Sequence, residues 1–299
     1  MKHPVIAGGI AGMMEISVTF PFEYVKTQLQ LQQEASAMFA GADKFRNSFH
    51  CAEVTVKEYG IGGLYKGGMS WFVFALPRGA VRFGTFEALQ NAAAQQELPE
   101  RFGRATVDTA NGFLAGIVEA ALCQTPNQVI GIKMIHDQSP RGPKQYASFG
   151  HCIAEIYKAD GFLGFFQGMA PAVLKGAATN AVRFLGFGQL KRLIQGPPSA
   201  DGTPPPPLTP PQAMLAGGTA GAVSAVLTQP IDTVKANMMG LEAARFKSSL
   251  GCLVDLVRAG GVTSLFNGIG PRVIRVFIEV GLQFSLFESV GRLIDRALE

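Results

Sequence analysis

A proline-centred signature that recurs twice constrains this chain more than anything else in it. Pro21-Phe22-Glu23-Tyr24-Val25-Lys26 returns as Pro126-Asn127-Gln128-Val129-Ile130-Gly131 and again as Pro230-Ile231-Asp232-Thr233-Val234-Lys235. The period is about one hundred residues, so the chain is three copies of one unit. Each copy ends an apolar run with proline, and the first and third place an acid two residues and a base five residues further on. A proline inside a helix removes a backbone donor and bends the segment. Three such bends draw three helix ends toward one axis, where their charges meet.

Composition says where those helices lie. With 47% hydrophobic residues, 16% charged and 36 glycines, the chain is too apolar and too glycine-rich for an ordinary soluble enzyme, and it reads as a membrane protein. A net charge of +4 matters less than where the charges sit. No secretory signal is legible: Lys2, His3 and Pro4 lead straight into an apolar run that contains Glu15, so targeting information is expected to be internal or removed from this sequence. Cys51, Cys152 and Cys252 occupy one equivalent place in the three units. They therefore point away from each other and serve as reduced packing residues. His3, His50, His136 and His151 form no catalytic or metal-ligand spacing, and neither enzyme chemistry, a metal, a cofactor nor nucleic-acid binding is expected.

In chain order, residues 4–20 are apolar with Gly8 and Gly12 four apart, an arrangement that lets helices approach closely in lipid. A polar stretch to about residue 62 suits a short surface helix, closed by a glycine-rich loop ending at Gly67. A second apolar run from Gly68 to about Leu89 meets the length of about 20 residues that a bilayer span requires. The second unit repeats this order with Gly112 and Gly116, a loop ending at Gly168 and an apolar run over 169–190. Gly196 through Pro211, with Pro204 to Pro207 consecutive, is expected to be a linker in water rather than helix. The third unit supplies Gly217, Gly221, a loop ending at Gly268 and a sixth run from Ile269 to Val290. The expected fold is an all-α membrane protein of six transmembrane helices in three pseudo-threefold repeats, each with a short surface helix. The repeats span 1–100, 101–197 and 198–299 and form one structural domain. Basic residues outnumber acidic ones in the segments after the odd helices, which places those segments on the inward side.

Six basic residues remain, Arg78, Arg82, Lys175, Arg183, Arg272 and Arg275, and every one falls in an even-numbered apolar run. A basic side chain at the bilayer centre costs about 2.5–3.5 kcal/mol even on the lenient insertion scale, so all six should face a wet interior. Counted from Gly67, Gly168 and Gly268, steps of four align Phe74, Lys175 and Arg275, then Arg78, Thr179 and Glu279, then Arg82, Arg183 and Gln283. Steps of four stay on one helical face, so each even helix turns a polar stripe, which also carries Asn180, toward one cavity. For a single arginine, pairing with an acid to lock helices together is a sufficient explanation. For six cations against Glu15, Glu119 and Glu279 it is not, because at least three stay unpaired. Unpaired cations at several depths suit a polyanion, and arginine forks favour di- or tricarboxylates or phosphates.

Taken together, the threefold repeat, the Pro-x-[Asp/Glu]-x-x-[Lys/Arg] signature and the glycine-rich loops resemble the mitochondrial carrier family over essentially the full chain. Thr19 through Leu31, Ile135-His136-Asp137-Gln138, Ala80-Val81-Arg82-Phe83, Gly240-Leu241-Glu242-Ala243 and Pro271-Arg272 with Arg275 resemble its tricarboxylate (citrate) carriers. The resemblance implies antiport of citrate or another tricarboxylate against malate or another di- or tricarboxylate. Exchange would run across the mitochondrial inner membrane by alternating access at a single central cationic site, with both termini in the intermembrane space. It carries substrate binding onto the same six cations and onto Lys26, beside Thr179, Asn180, Glu279 and Gln283. It implies a matrix gate of Glu23, Lys26, Asp232 and Lys235 and a cytoplasmic gate of Glu87, Lys191 and Glu288. Partners are small carboxylate anions and membrane lipid, with cardiolipin at the matrix-side helix ends, around a monomer. The departures are specific. Gln128 and Gly131 leave Lys26 with Asp232 as the one ionic matrix link, and on the other side Glu87 with Lys191 is the one pair expected. Two alternatives stay open: a degenerate carrier-like protein acting as a non-transporting membrane adaptor, and an anion leak pathway.

Overall fold

The computed structural model describes residues 4–38, 45–98, 100, 103–138, 145–195, 208–241, 243–246 and 248–280, and among them the regular structure is helical throughout. The first repeat runs from a long helix α1 (Pro4–Met38) through a short α2 (Ser48–Tyr59) to α3 (Gly68–Gln95). In the second, α4 (Arg104–Glu119) passes through one π turn (Ala120–Gln124) into α5 (Thr125–Asp137), followed by the short α6 (Phe149–Asp160) and the long α7 (Met169–Gln195). The third consists of α8 (Pro210–Met239), the short α9 (Ser249–Gly260) and α10 over residues 269–280.

Local chemistry explains why the three units look alike. Each short helix starts at a polar N-cap whose side chain accepts a backbone N–H three residues on: Asn47 from His50, Ser148 from His151, Ser248 from Gly251. Each then ends in a glycine at positive φ, enters a single 3-10 turn, and is released into the next long helix by a second such glycine. Gly67, Gly168 and Gly268 have φ of 84°, 71° and 77°, a region that side-chain-bearing residues avoid.

The prolines act differently in the three units. Pro21 and Pro230 lie inside continuous helices, whereas Pro126 follows a π turn in which the Thr125 hydroxyl donates to the Ala120 carbonyl at 2.8 Å. A wide turn supplies the slack that a missing backbone donor creates. The linker expectation is corrected at its end: Pro210 and Pro211 are the first residues of α8, not linker. Proline lacks only an N–H that the first helical turn leaves unused, and Thr209 with Gln212 forms a capping box around them. Residues 196–207, and the run beyond residue 280, lie outside the described residues.

The core sits at the signature ends of the odd helices. Tyr24, Leu31, Val129, Ile130, Ile135 and Met239 are all at most 2% exposed, while large apolar side chains such as Val18, Leu76, Phe83, Leu185 and Leu227 are exposed along the helices. Inter-repeat hydrogen bonds hold the three ends together. Gln28 donates to the Ile135 carbonyl at 2.6 Å, and Asn237 donates to the Gln30 carbonyl at 3.4 Å. Cys51, Cys152 and Cys252 are each 0% exposed on the buried faces of the short helices, joined by no disulfide.

The helix α3 has 28 residues, or about 42 Å at 1.5 Å per residue. Even so, among the described residues no single helix is long and apolar enough to cross a membrane by its own hydropathy. The polar stripe of each even helix and the charged signature of each odd helix dilute the apolar signal. The one combination that passes is the pair Ser249–Gly260 and Val262–Val280, bent by 113°.

Candidate functional site

The six long segments enclose a cavity of about 570 Å³, within the usual range of small-molecule sites. Its lining contains Arg78, Arg82, Lys175, Thr179, Asn180, Arg183, Arg272, Arg275 and Glu279 from the even helices, and Glu15, Glu23, Lys26, Glu119, Gln128 and Lys235 from the odd ones. Among the described residues, eight basic side chains therefore line it against four acidic ones, Glu15, Glu23, Glu119 and Glu279. Steps of four along α3, α7 and α10 bring these cations to one face, as the helical period requires. Gln283 and Glu288 lie outside the described residues.

At the floor, Asp232 is 0% exposed and collects cations from four directions. Lys26 Nζ of α1 is 2.7 Å from Oδ2 and Lys175 Nζ of α7 is 2.7 Å from Oδ1. Lys235 Nζ on its own helix is at 3.3 Å and Arg272 Nη1 of α10 at 3.7 Å. The link between Lys26 and Asp232 is present, as the family resemblance implies. Gln128 holds its place in the ring without charge, its Oε1 accepting from Lys235 Nζ at 3.3 Å. Gly131 has no side chain to offer Glu23, which turns instead to Lys26 at 3.1 Å and to Arg275 of α10. A side chain at 131 has little room: a Cβ there would stand 2.9 Å from Ser70 Oγ and 3.5 Å from the Gly67 carbonyl oxygen.

The expectation that at least three cavity cations stay unpaired is corrected by this floor. Counting only Glu15, Glu119 and Glu279 as partners overlooks that the signature acids face the same space. Besides the contacts of Lys175, Arg272 and Arg275 with Asp232 and Glu23, Arg275 Nε lies 2.6 Å from Glu279 and Arg78 Nε 2.8 Å from Glu119. Arg82 reaches Glu119 only at 3.9 Å with 62% of its side chain exposed. Among the described residues Arg183 has no carboxylate within 4.0 Å and is exposed. The open positive charge thus sits on Arg82 and Arg183, above a tier of clasped cations. At the opposite end Glu87 and Lys191 are both exposed and form no pair with each other. The cavity is closed at the signature floor.

Several contributors escape a reading of charge spacing. Arg272, 7% exposed, donates to Gln229 Oε1 at 2.7 Å and Thr228 Oγ1 at 2.8 Å, so its fork is largely saturated. Gln30 donates to Asp232 Oδ2 at 3.2 Å, and the Arg275 guanidinium lies 5.7 Å over the ring of Trp71, in cation–π range. The third unit carries Thr228-Gln229 before its proline where the first carries Thr19-Phe20. That break in repeat symmetry, Gln229 for Phe20, is the signal that would have found Gln229, whereas charge spacing carries none for Gln30 or Trp71.

Comparison with known proteins bears directly on this arrangement. The family model described as mitochondrial carrier protein matches residues 2–97, 104–198 and 206–297. The chain is similar to the mitochondrial tricarboxylate transport protein of Rattus norvegicus, 36% identical over 301 residues, covering 99% of this chain and 92% of that protein. Similarity to tricarboxylate transport protein A, mitochondrial, of Danio rerio is 37% over 303 residues, covering 99% of this chain and 79% of that protein. The tricarboxylate transport protein of Saccharomyces cerevisiae is 30% identical over 292 residues, covering 96% and 94% respectively.

Proposed function

The chain belongs to the mitochondrial carrier family, and from that premise we propose that it exchanges citrate or a related tricarboxylate for malate or another di- or tricarboxylate through the central cavity. It is an all-α, multi-pass protein of the mitochondrial inner membrane, with six spanning helices in three repeats. The observation that carries the reading is the excess of cations over carboxylates in the cavity lining. With the buried Asp232 counted beneath them, eight cations face five acids among the described residues, a surplus that matches a fully ionised tricarboxylate. Open guanidinium groups in a partly desolvated cleft carry an electrostatic cost that such an anion relieves. The names of the relatives point the same way.

The mechanism follows from which end is closed. Arg82 and Arg183 meet the incoming anion, and Lys175 and Arg275 take its deeper carboxylates. The floor held by Lys26, Asp232 and Lys235 then parts while the Glu87 side closes. Only the differential affinity of the anion for the two states can shift that equilibrium. A floor sealed by buried ion pairs supports exchange over free leak, and eight cavity cations have no use in an adaptor. One copy of the chain encloses the whole cavity, which supports action as a monomer.

Proteoliposomes test this. Vesicles loaded with citrate or malate should take up labelled citrate, and Arg82→Ala, Arg183→Ala or Arg275→Ala should abolish uptake. Competition by isocitrate, malate, oxoglutarate, sulfate and phosphate would rank the substrates. Normal exchange in all three variants would remove the binding assignment.

A further inference from the structure

We propose that in this chain the cations of the binding cavity also serve as the clasp of the matrix gate, so that substrate loosens the floor directly by competing with the gate acids for the same side chains. This rests on the exchange reading above. A symmetric floor would tie the three odd helices by three ionic links between signature positions. Here Gln128 gives Lys235 an uncharged acceptor and Gly131 supplies nothing. The charge that those links would provide comes instead from the even helices. Lys175 of α7 stands as close to Asp232 as Lys26 does, 2.7 Å in both cases, and Arg272 of α10 adds a contact at 3.7 Å. Glu23, which lacks a partner at 131, is bonded by Arg275 of α10.

Substrate and gate thus share Lys175 and Arg275, whose side chains remain 23% and 18% exposed to the cavity. Each turns an ammonium or guanidinium toward a gate carboxylate, and a substrate carboxylate that approaches from above draws the same group away. Arg82 and Arg183 hold neither Asp232 nor Glu23 and are the more exposed pair. Capture on these two precedes the exchange of partners below. The order follows from accessibility, because a saturated cation attracts an anion less than an open one.

Chloride flux into vesicles free of tricarboxylate, followed with an entrapped halide-quenched dye, separates gate clasping from substrate binding. Lys175→Gln and Arg275→Gln are expected to raise chloride flux about 10-fold over wild type, the factor set by about 1.4 kcal/mol of lost closure. Arg82→Gln and Arg183→Gln should lose citrate exchange with no rise in chloride flux. Adding Gln128→Glu to Lys175→Gln, which supplies the missing ionic link to Lys235, should return chloride flux toward wild type without restoring citrate exchange. Equal chloride flux in all four single variants, or no rescue by Gln128→Glu, overturns the proposal. If Lys175→Gln does not reconstitute, Arg275→Gln against Arg82→Gln decides it. A wild-type protein that exchanges no citrate would sink the functional reading, while the chloride comparison would still judge the clasp.

Discussion

Gln128→Glu changes one atom in size and one unit of charge at the point where the signature ring lost an ionic link. Gln128 is 6% exposed and its Oε1 lies 3.3 Å from Lys235 Nζ. Five cations, Lys26, Lys175, Lys235, Arg272 and Arg275, contact the two floor carboxylates, Glu23 and Asp232. A third carboxylate therefore enters a field of surplus positive charge, where Coulomb attraction outweighs the cost of burying it. The existing bond is charged at the Lys235 end only, and giving its acceptor a full negative charge adds a net gain of about 1 kcal/mol, the order of one ion pair after its desolvation cost. That gain should raise Tm by about 2–4 °C in a chain of this size. Because the stabilised state is the one with the floor closed, the same gain should slow exchange about 5-fold. Thermal unfolding in detergent and initial rates of citrate uptake in proteoliposomes measure the two effects. A lower Tm together with an unchanged uptake rate would refute the idea that the floor is short of carboxylate.

Gly268→Ala should destabilise the protein by about 2 kcal/mol or more, because φ of 77° costs a side-chain-bearing residue about 1–2 kcal/mol and the new Cβ would stand 2.8 Å from the Lys26 carbonyl oxygen; thermal unfolding reads the loss. Burial pushes the Cys51 and Cys152 thiols up to about 12, so at neutral pH they stay protonated, and a maleimide should label them only after denaturation. Stoichiometric labelling of native protein by mass spectrometry would contradict that packing. Ser148→Ala removes the N-cap of α6 and should cost about 1 kcal/mol, visible as a lower Tm with citrate specificity unchanged.

Three repeats, helical spans, short capped helices and a common cationic face were all legible in the sequence, since each depends on near-neighbour chemistry. Spacing by about one hundred residues sets the repeat, steps of four set the face, and Asn47, Ser148 and Ser248 set three helix starts. That Lys26 meets Asp232 follows from the family resemblance of the signature and not from spacing alone. What spacing misses is how a partner left without its ordinary mate finds another. Glu23 is bonded to Arg275, 252 residues away in sequence, because position 131 carries no base and α10 brings a guanidinium to the Glu23 carboxylate. Arg272 lines the cavity, but its guanidinium is held in a polar cluster with Thr228 and Gln229. The π turn before Pro126 was equally illegible, since proline demands slack without specifying whether a bend or a wider turn provides it.

By itself, the amino-acid order determines which side chains can share a face, since a helix of 3.6 residues per turn leaves no freedom there. Tertiary structure alone decides which charges neutralise one another. A carboxylate in a low-dielectric floor must be satisfied by whatever cation the packed helices deliver within about 4 Å, and that distance is set by three repeats closing on one axis. So the presence of six cavity cations follows from sequence, and the division into two open arginines and a clasped lower tier follows only from the fold.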